Sequence, residues 1–566
     1  TWNMKTQGLP QGLIGKIDFA VSAADPSRVY ALVETTPEEE GLYRSNDEGE
    51  TWHLVSNFRP LMDRPFYYTN IDADPTNADV LYVNCTGFFR SEDGGENWER
   101  RSTPHGDNHD IWINPDDPDI WIQSNDGGAN VTSDGGETWS TQRNQPTAEL
   151  YQVNLDDRIP YWLYAGQQDN STIAVPSNAT GNRVGGPQAY WEAIGGCETG
   201  PAVPKPGDSD IVFSNCKGRF YQFSRRTSQS RNYYVGAANM YGRNPSELAY
   251  RFQRVVPIEV SPHNPDVVYH GSQFVHKTID GGETWETISP DLTAFRAERQ
   301  VVSGSPITRD ITGEEHYSVL YVIEESPVDE GVIWTGANDG PVHVTRDGGM
   351  TWTDVTPKDM PPEGRIQHID PSPHAAGTAY VAGYRYLLND FEPYVYKTSD
   401  FGATWSRLTD GNNGIAIDTP VRVVREDPHR AGLLFAGTEY GFYASLNDGE
   451  TWNRFDSGLP ASPITDIKIY KGDIAVSTMG RGFWVMDDIS SLRQFASDST
   501  NQFFVPRAVY RSRRSSRSGG PSDPQYSRPG VRLDYFLAAD FDGDVTLEIL
   551  TGEEVIRRYH IEVEEE

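Results

Sequence analysis

The sequence predicts an all-β chain: a multi-bladed β-propeller followed by a partial C-terminal β-sandwich. Three observations carry that expectation. An eight-residue pattern, Ser/Thr-x-Asp-x-Gly-x-Thr-Trp, begins at residues 45, 91, 132, 278, 345, 398 and 445, with Asn97 for Thr in the second copy and Asn447 for Asp in the last. Between copies runs an apolar strand, an Asp-Pro or Ser-Pro turn and a second apolar strand, as at Asp25-Pro26, Asp74-Pro75, Ser261-Pro262 and Asp427-Pro428. Within the two close runs the patterns start 41 to 53 residues apart, the length of a four-stranded blade.

Each part of the pattern has a physical task. The Asp side chain accepts hydrogen bonds from backbone N–H groups across the turn, and the Gly supplies a positive φ. The Trp is expected to bury its ring beside the hairpin. A blade then reads strand A, Asp-Pro turn, strand B, Gly-rich turn, strand C, eight-residue turn, strand D. The gap from 132 to 278 leaves room for two blades without the pattern, around Leu150 to Val175 and Asp210 to Arg226, and a last one spans Ile464 to Asp487. The count is about ten, either one ten-bladed ring or the remainder of two seven-bladed rings. Thr1-Trp2 resemble the tail of another copy, so the chain reads as cut from a longer precursor, with N-terminal blades missing.

The expected boundaries are 1–502 for the blades, 503–530 for an Arg/Ser/Gly/Pro-rich linker and 531–566 for the sandwich-like segment. In the linker, Arg507, Arg511, Arg513, Arg514 and Arg517 read as solvated charge. Asp540-Phe541-Asp542-Gly543-Asp544 reads as an acidic hairpin turn, with calcium binding as the other possibility.

Composition narrows the partners. A formal net charge of −34 argues against nucleic acid or an anionic membrane, both of which would be repelled. No apolar run approaches the roughly 18 residues of a membrane span. The three cysteines, Cys85, Cys197 and Cys216, lack metal-ligand spacing, and a Cys197–Cys216 bridge is left open.

Strand parity locates the chemistry. In an antiparallel blade the A–B and C–D turns share one face, while B–C turns and the D-to-A links share the other. The eight-residue turns are therefore scaffold, and the opposite face is free. There, His105, Asp107, His109 and Asp110 crowd one D-to-A link, a candidate set for a divalent metal such as calcium or zinc, or for acid–base work. Two long links, Ser177 to Asp208 with Trp191 and Glu198, and Pro290 to Glu315 before His316, are expected to wall the site. B–C turns add Asp126, Asp169 and Asp339, and blade entrances add Arg251, Arg254 and Arg365. Asp107, Asp110, Glu198 and Asp339 are the catalytic candidates. His105, His109, Asp126, Asp169, Trp191, Arg251, His316 and Arg365 are the binding candidates, all expected near one channel mouth.

The eight-residue pattern resembles the Asp-box, or BNR, repeat of sialidases, xyloglucanase-type glycoside hydrolases and the VPS10 domain of sortilins. Over residues 1–500, including His105 to Asp110, Gln167 to Thr172 and Gly480-Arg481-Gly482-Phe483-Trp484, the chain resembles bacterial VPS10/sortilin-like and glycosyl-hydrolase-like BNR proteins. The sialidase motif is matched only by Asp157-Arg158-Ile159-Pro160, which lies mid-chain and lacks the aromatic residue. The resemblance implies a secreted, periplasmic or cell-surface protein that binds an extracellular glycan or peptide, or contacts a partner protein. Its alternative is a glycoside hydrolase, which needs two carboxylates flanking a cleft.

Overall fold

The computed structural model describes residues 3–178, 191–236, 240, 242–302, 307–308, 316–455, 458–496, 500–509, 525–526 and 530–561. The fold is a β-propeller. Among the described residues the one α-helix is the short Ser490–Gln494, and everything else ordered is strand, turn or brief 3-10 helix. Eight four-stranded and two three-stranded antiparallel sheets follow one another along the chain, each with strands in sequence order. We number them one to ten: 17–56, 70–101, 108–132, 154–193, 202–234, 258–287, 320–354, 365–407, 421–454 and 464–486.

Apolar side chains of neighbouring sheets interlock to form the core. Tyr30, Leu32 and Leu42 of sheet one meet Ile71, Leu81 and Val83 of sheet two, and Tyr82 and Phe88 meet Ile111 and Trp121 of sheet three. A second run of such interfaces starts at sheet four and continues through sheet ten. Sheet ten then packs on sheet four, where Val153, Tyr161 and Leu163 meet Ala475. That contact is hydrogen-bonded as well: Thr465 Oγ1 donates to Leu150 O at 2.7 Å, and the Tyr161 hydroxyl to Asp473 at 3.0 Å. Sheets three and four share no core cluster among the described residues. Instead, the outward side of sheet three leaves Trp112, Ile122 and Val131 exposed in one cross-strand row.

The seven recurrent turns each follow a third strand, six of them leading into a fourth, and share one bonding scheme. At Thr278 to Trp285, Asp280 Oδ1 accepts from Thr284 N at 2.9 Å and Oδ2 from the Thr284 hydroxyl at 2.6 Å. The Thr278 hydroxyl accepts from Gly282 N at 3.0 Å. Gly282 adopts φ +103°, and a Cβ there would sit 2.8 Å from the Phe220 ring, so both conformation and space require glycine. These bonds, chiefly that from the threonine hydroxyl, pull Asp47, Asp134 and Asp280 down to about 2. Asn447 makes the same turn, accepting from Thr451 N at 3.0 Å.

The expectation of buried tryptophans needs correction. Trp52 and Trp452 are buried, whereas Trp98, Trp139, Trp285, Trp352 and Trp405 are only partly covered. Each ring lies at the outermost strand, where the adjacent sheet shields one side only.

The C-terminal region forms two small pairings, Gln502–Phe503 with Tyr535–Phe536 and the hairpin Val545–Thr551 with Glu554–Ile561. Of the expected sandwich-like segment, residues 531–538 contribute only the two-residue strand Tyr535–Phe536, and Arg532 bonds the Asp487 and Asp488 carbonyls instead of a neighbouring strand. Arg507 is no free linker charge, since it pairs with Asp473 and Asp488. Arg511, Arg513, Arg514 and Arg517 lie outside the described residues.

Two outcomes test this account. A carboxylate whose pKa is depressed on folding stabilises the fold above its unfolded value and loses that contribution as pH falls. Stability is therefore expected to drop between about pH 4 and pH 2, and Asp280→Asn to reduce the slope, read from denaturant midpoints across that range. Trp452→Ala is expected to cost about 3–5 kcal/mol, as for other fully buried aromatics, and Trp285→Ala clearly less. Equal losses would show that shielding by the adjacent sheet does not set the cost.

Candidate functional site

Turns between first and second strands touch the recurrent turns: Gly94 N donates to Asp79 O and Gly135 N to Asp119 O, both at 2.8–2.9 Å. On the other side, the second-to-third-strand turns of sheets four, seven, nine and ten hang from the residues that precede their own first strands. Gln168 N donates to Glu149 O, Asn338 N to Val319 O, Glu439 N to Pro420 O and Met479 N to Pro463 O, all at 2.9–3.1 Å. Strand parity thus separates two faces, and the second carries the polar cluster.

Asp107, Asp126 and Asp169 form the centre of that cluster. One carboxylate oxygen from each lies within 4.8 Å of the others. Asp107 precedes the first strand of sheet three, Asp126 sits in that sheet's second turn, and Asp169 occupies the equivalent turn of sheet four. Asp107 and Asp169 adopt φ of +56° and +57°, a left-handed conformation that Asp tolerates better than most residues. Asn170 Nδ2 donates to Asp126 O at 2.9 Å and so ties sheet four to sheet three.

The surroundings divide these acids. His109 Nε2 lies 2.7 Å from Asp126 Oδ1, and that bond raises the imidazole's pKa against the opposing effect of burial. The His109 ring sits edge-on to Tyr67 and tilted against Tyr68, with Arg64 over both tyrosines. Burial, with Asp126 beside it, raises Asp107, partly offset by the Tyr68 hydroxyl. Asp169 is pushed up to about 6, first by burial and then by the charges of Asp126 and Glu198, against the Gln168 hydrogen bond and Arg254. Glu198 lies 3.4 Å from Arg254 and follows Cys197, which is joined to Cys216 in a disulfide.

The mouth extends over sheets four, seven, eight and nine. Tyr151 donates to Gln168 and lies within electrostatic reach of both Asp169 and Tyr321. Glu149 is raised by burial, opposed by Arg254 and Arg422. Arg422 pairs with Glu439, which also accepts from the Tyr384 hydroxyl. Arg365 lies over the Tyr321 and Tyr384 rings, 4.6 and 5.3 Å from their centroids.

Several expected site residues lie elsewhere. His105 contacts its own neighbour, Gly106 O, and Asp110 caps its own strand at Ile111 N. Of the proposed metal set only Asp107 joins the three-carboxylate cluster, and His109 acts through Asp126. Arg251 is buried, bonding Ser318 O, Asp291 and Thr293, and Asp339 is buried, accepting from Ala294 N and Phe295 N. Both hold the 290–295 link in place. His316 is buried, and its carbonyl accepts from Asn338. Trp191 leads directly into the outermost strand Glu192–Ala193, which pairs with Ile173–Ala174, so Trp191 stands at the entry to a fourth strand and not at the mouth. Residues 179–190, 303–306 and 309–315 of the two long links lie outside the described residues. The contributions of Arg64, Tyr67, Tyr68, Glu149, Tyr151, Tyr321, Tyr384 and Arg422 were not expected. Glu149, Tyr151 and Arg422 share with His109 a position near the start of a first strand, which is the signal that would have found them.

Comparisons with known proteins add a distant likeness. No known protein-family model matches the chain. A curated relative, the oligoxyloglucan-reducing end-specific xyloglucanase of Emericella nidulans, is 23% identical over 350 residues, which is 57% of this chain and 38% of that protein. The chain thus spans well under half the length of that relative. Solved structures that resemble it include the Niastella koreensis GH74 enzyme, at 14% identity over 83% of this chain and 76% of that one with a TM-score of 0.25. YCF48 from Cyanidioschyzon merolae is similar at 12% identity over 74% and 95%, with a TM-score of 0.29.

As carboxylate oxygens are hard ligands, Asp107, Asp126 and Asp169 are the described residues able to hold a calcium-like ion. Without one, the group contains a weakened acid, Asp169, protonated up to about pH 6. A raised Asp169 pKa favours folding fully below about 3.8, and that contribution is lost as pH rises through about 6. Asp169→Asn is therefore expected to raise the melting temperature at pH 8 relative to the parent, with the difference vanishing near pH 4. A variant that melts lower at pH 8 would show that the carboxylate is neutralised there by a bound cation or a partner.

Proposed function

We propose that the chain is an exported Asp-box propeller that hydrolyses glycosidic bonds, with the mouth beside Asp169 as its active centre. The observation that carries this reading is the convergence of three carboxylates at one mouth, one of which, Asp169, is raised to about 6 by burial and so suits general-acid work on a sugar. Asp169 serves as general acid, protonated up to about pH 6 and placed to protonate a leaving oxygen. Asp126, bonded to His109, supplies the second carboxylate, with Asp107 beside it. Tyr67, more than half exposed beside His109, offers an apolar face for a sugar ring. The distant xyloglucanase relative supports a polysaccharide as substrate, and the Cys197–Cys216 disulfide fits an oxidising, extracytoplasmic compartment.

The architecture belongs to the same proposal. Sheets four to ten, with the last packed on the first, form one seven-bladed ring; sheets one to three are part of a second, incomplete ring. The exposed row Trp112, Ile122 and Val131 supports this, since it is the side on which a following blade would pack.

Release of reducing ends from a polysaccharide panel tests the reaction. Activity is expected to fall above about pH 6, and Asp169→Asn to lower the rate about 10²–10⁴-fold with the fold intact. Retained binding without any bond cleavage would make the chain a glycan-binding propeller. A second reading rests on the same three clustered oxygens, that they hold a divalent cation. Calcium at pH 7.5 would then raise the melting temperature, and Asp126→Asn would remove the effect; metal-free protein by elemental analysis, with no response to calcium, would exclude it.

A further inference from the structure

Arg365 opens the first strand of sheet eight, Arg365–Pro371, and pairs in register with Tyr384. Two other arginines of the mouth are paired with carboxylates, Arg254 with Glu198 and Arg422 with Glu439. Arg365 differs from them. Among the described residues no carboxylate, carbonyl or hydroxyl accepts a hydrogen bond from it. Its Nε is buried without an acceptor, the rest of the half-buried side chain reaches the mouth, and its guanidinium is framed by the Tyr321 and Tyr384 rings. In a chain with 82 acidic against 48 basic residues, a half-buried cation left without a carboxylate is unexpected. Removing an ion from water without a partner is costly, and stacking on aromatic faces offsets only part of that cost.

We infer that Arg365 receives a carboxylate of the substrate, and that the preferred glycan is largely neutral but bears isolated uronate units. This rests on the hydrolase reading and extends it to substrate class. The planar guanidinium fork matches a carboxylate in a bidentate pair, and two tyrosine rings hold it in place. The same mouth carries the Asp107, Asp126 and Asp169 acids: Tyr151 lies within reach of Asp169 on one side and Tyr321, on which Arg365 stacks, on the other. A polyuronate would meet those acids and the field of a chain at −34, so sparse rather than continuous charge is accommodated.

Calorimetric titration with a glucuronate-substituted xylo-oligosaccharide and its unsubstituted counterpart tests the inference, with reducing-end release measured in parallel. The parent is expected to prefer the acidic ligand by about tenfold or more. Arg365→Gln should bring the ratio of the two affinities close to one, and Arg365→Lys should keep part of the preference. Melting curves must show each variant folded. Equal affinity of the parent for the two ligands, or a parallel loss of both in Arg365→Gln, overturns the inference. Cleavage of the neutral ligand with no influence of Arg365 overturns it while the hydrolase reading stands. Arg365-dependent binding without cleavage keeps the carboxylate site and removes the hydrolase reading, and binding of neither ligand removes both. A peptide with a free C-terminal carboxylate that binds better than the uronate ligand, with its amidated form inactive, would reassign the site to a peptide.

Discussion

Everything functional in this molecule depends on the reversal of strand direction at each step of a four-stranded sheet. Because strands alternate, the first and third turns of every sheet lie on one face and the second turn lies on the other with the link to the next sheet. The recurrent turns saturate their own polar groups. At Thr278 to Trp285 both Asp280 oxygens and the Thr278 hydroxyl are engaged within the turn. Acids used in this way hold the outermost strand in register and have little capacity left for a ligand. The opposite face has no such obligation, and there the acids lie where chemistry can use them.

One residue type therefore behaves in two ways. Asp280 is pulled to about 2 because a threonine hydroxyl and backbone N–H groups stabilise its charge in open solvent. Asp169 is pushed to about 6 because its charge is partly buried and faces Asp126 and Glu198. The difference comes from the surroundings: six Asp copies and one Asn447 make equivalent scaffold turns, so a carboxylate is dispensable there. At the mouth, replacing Asp169 by Asn removes a proton that the neighbouring acids hold in place.

The division into two faces was legible in the sequence, because the pattern fixes where third strands end. His109, Asp126, Asp169 and Glu198 converge as parity predicts, although about ninety residues separate the first from the last. The failures have identifiable causes. Glu192–Ala193 is a two-residue strand with no periodicity to reveal it, so the stretch from 177 to 208 read as one link and placed Trp191 on the wrong face. Arg251 and Asp339 stand at the expected register but hold the backbone of the 290–295 link, a use that only coordinates disclose. Asp110 caps its own strand, which residue type and spacing cannot distinguish from ligation. Arg64, Tyr67 and Tyr68 come from a non-repeating link between sheets one and two, where no pattern assigns a face.

The position of the carboxylate cluster has a mechanical consequence. Along sheets four to ten each interface is a shared apolar core, and the last of them also carries the Thr465–Leu150 and Tyr161–Asp473 bonds. At the junction of sheets three and four the described residues share no such core, and the Asn170–Asp126 bond spans it directly beside the acids. Two of the three carboxylates belong to one side of this junction and the third to the other. A small rigid-body shift across it therefore changes the distance between Asp169 and Asp126 without disturbing either sheet. That distance sets both how strongly the acids repel each other and whether a sugar, a water or a cation fits between them. Interfaces with few apolar contacts open at lower free energy than packed cores. The separation of Asp169 from Asp126, on which the acid strength of Asp169 depends, is therefore set at the least tightly packed of these junctions.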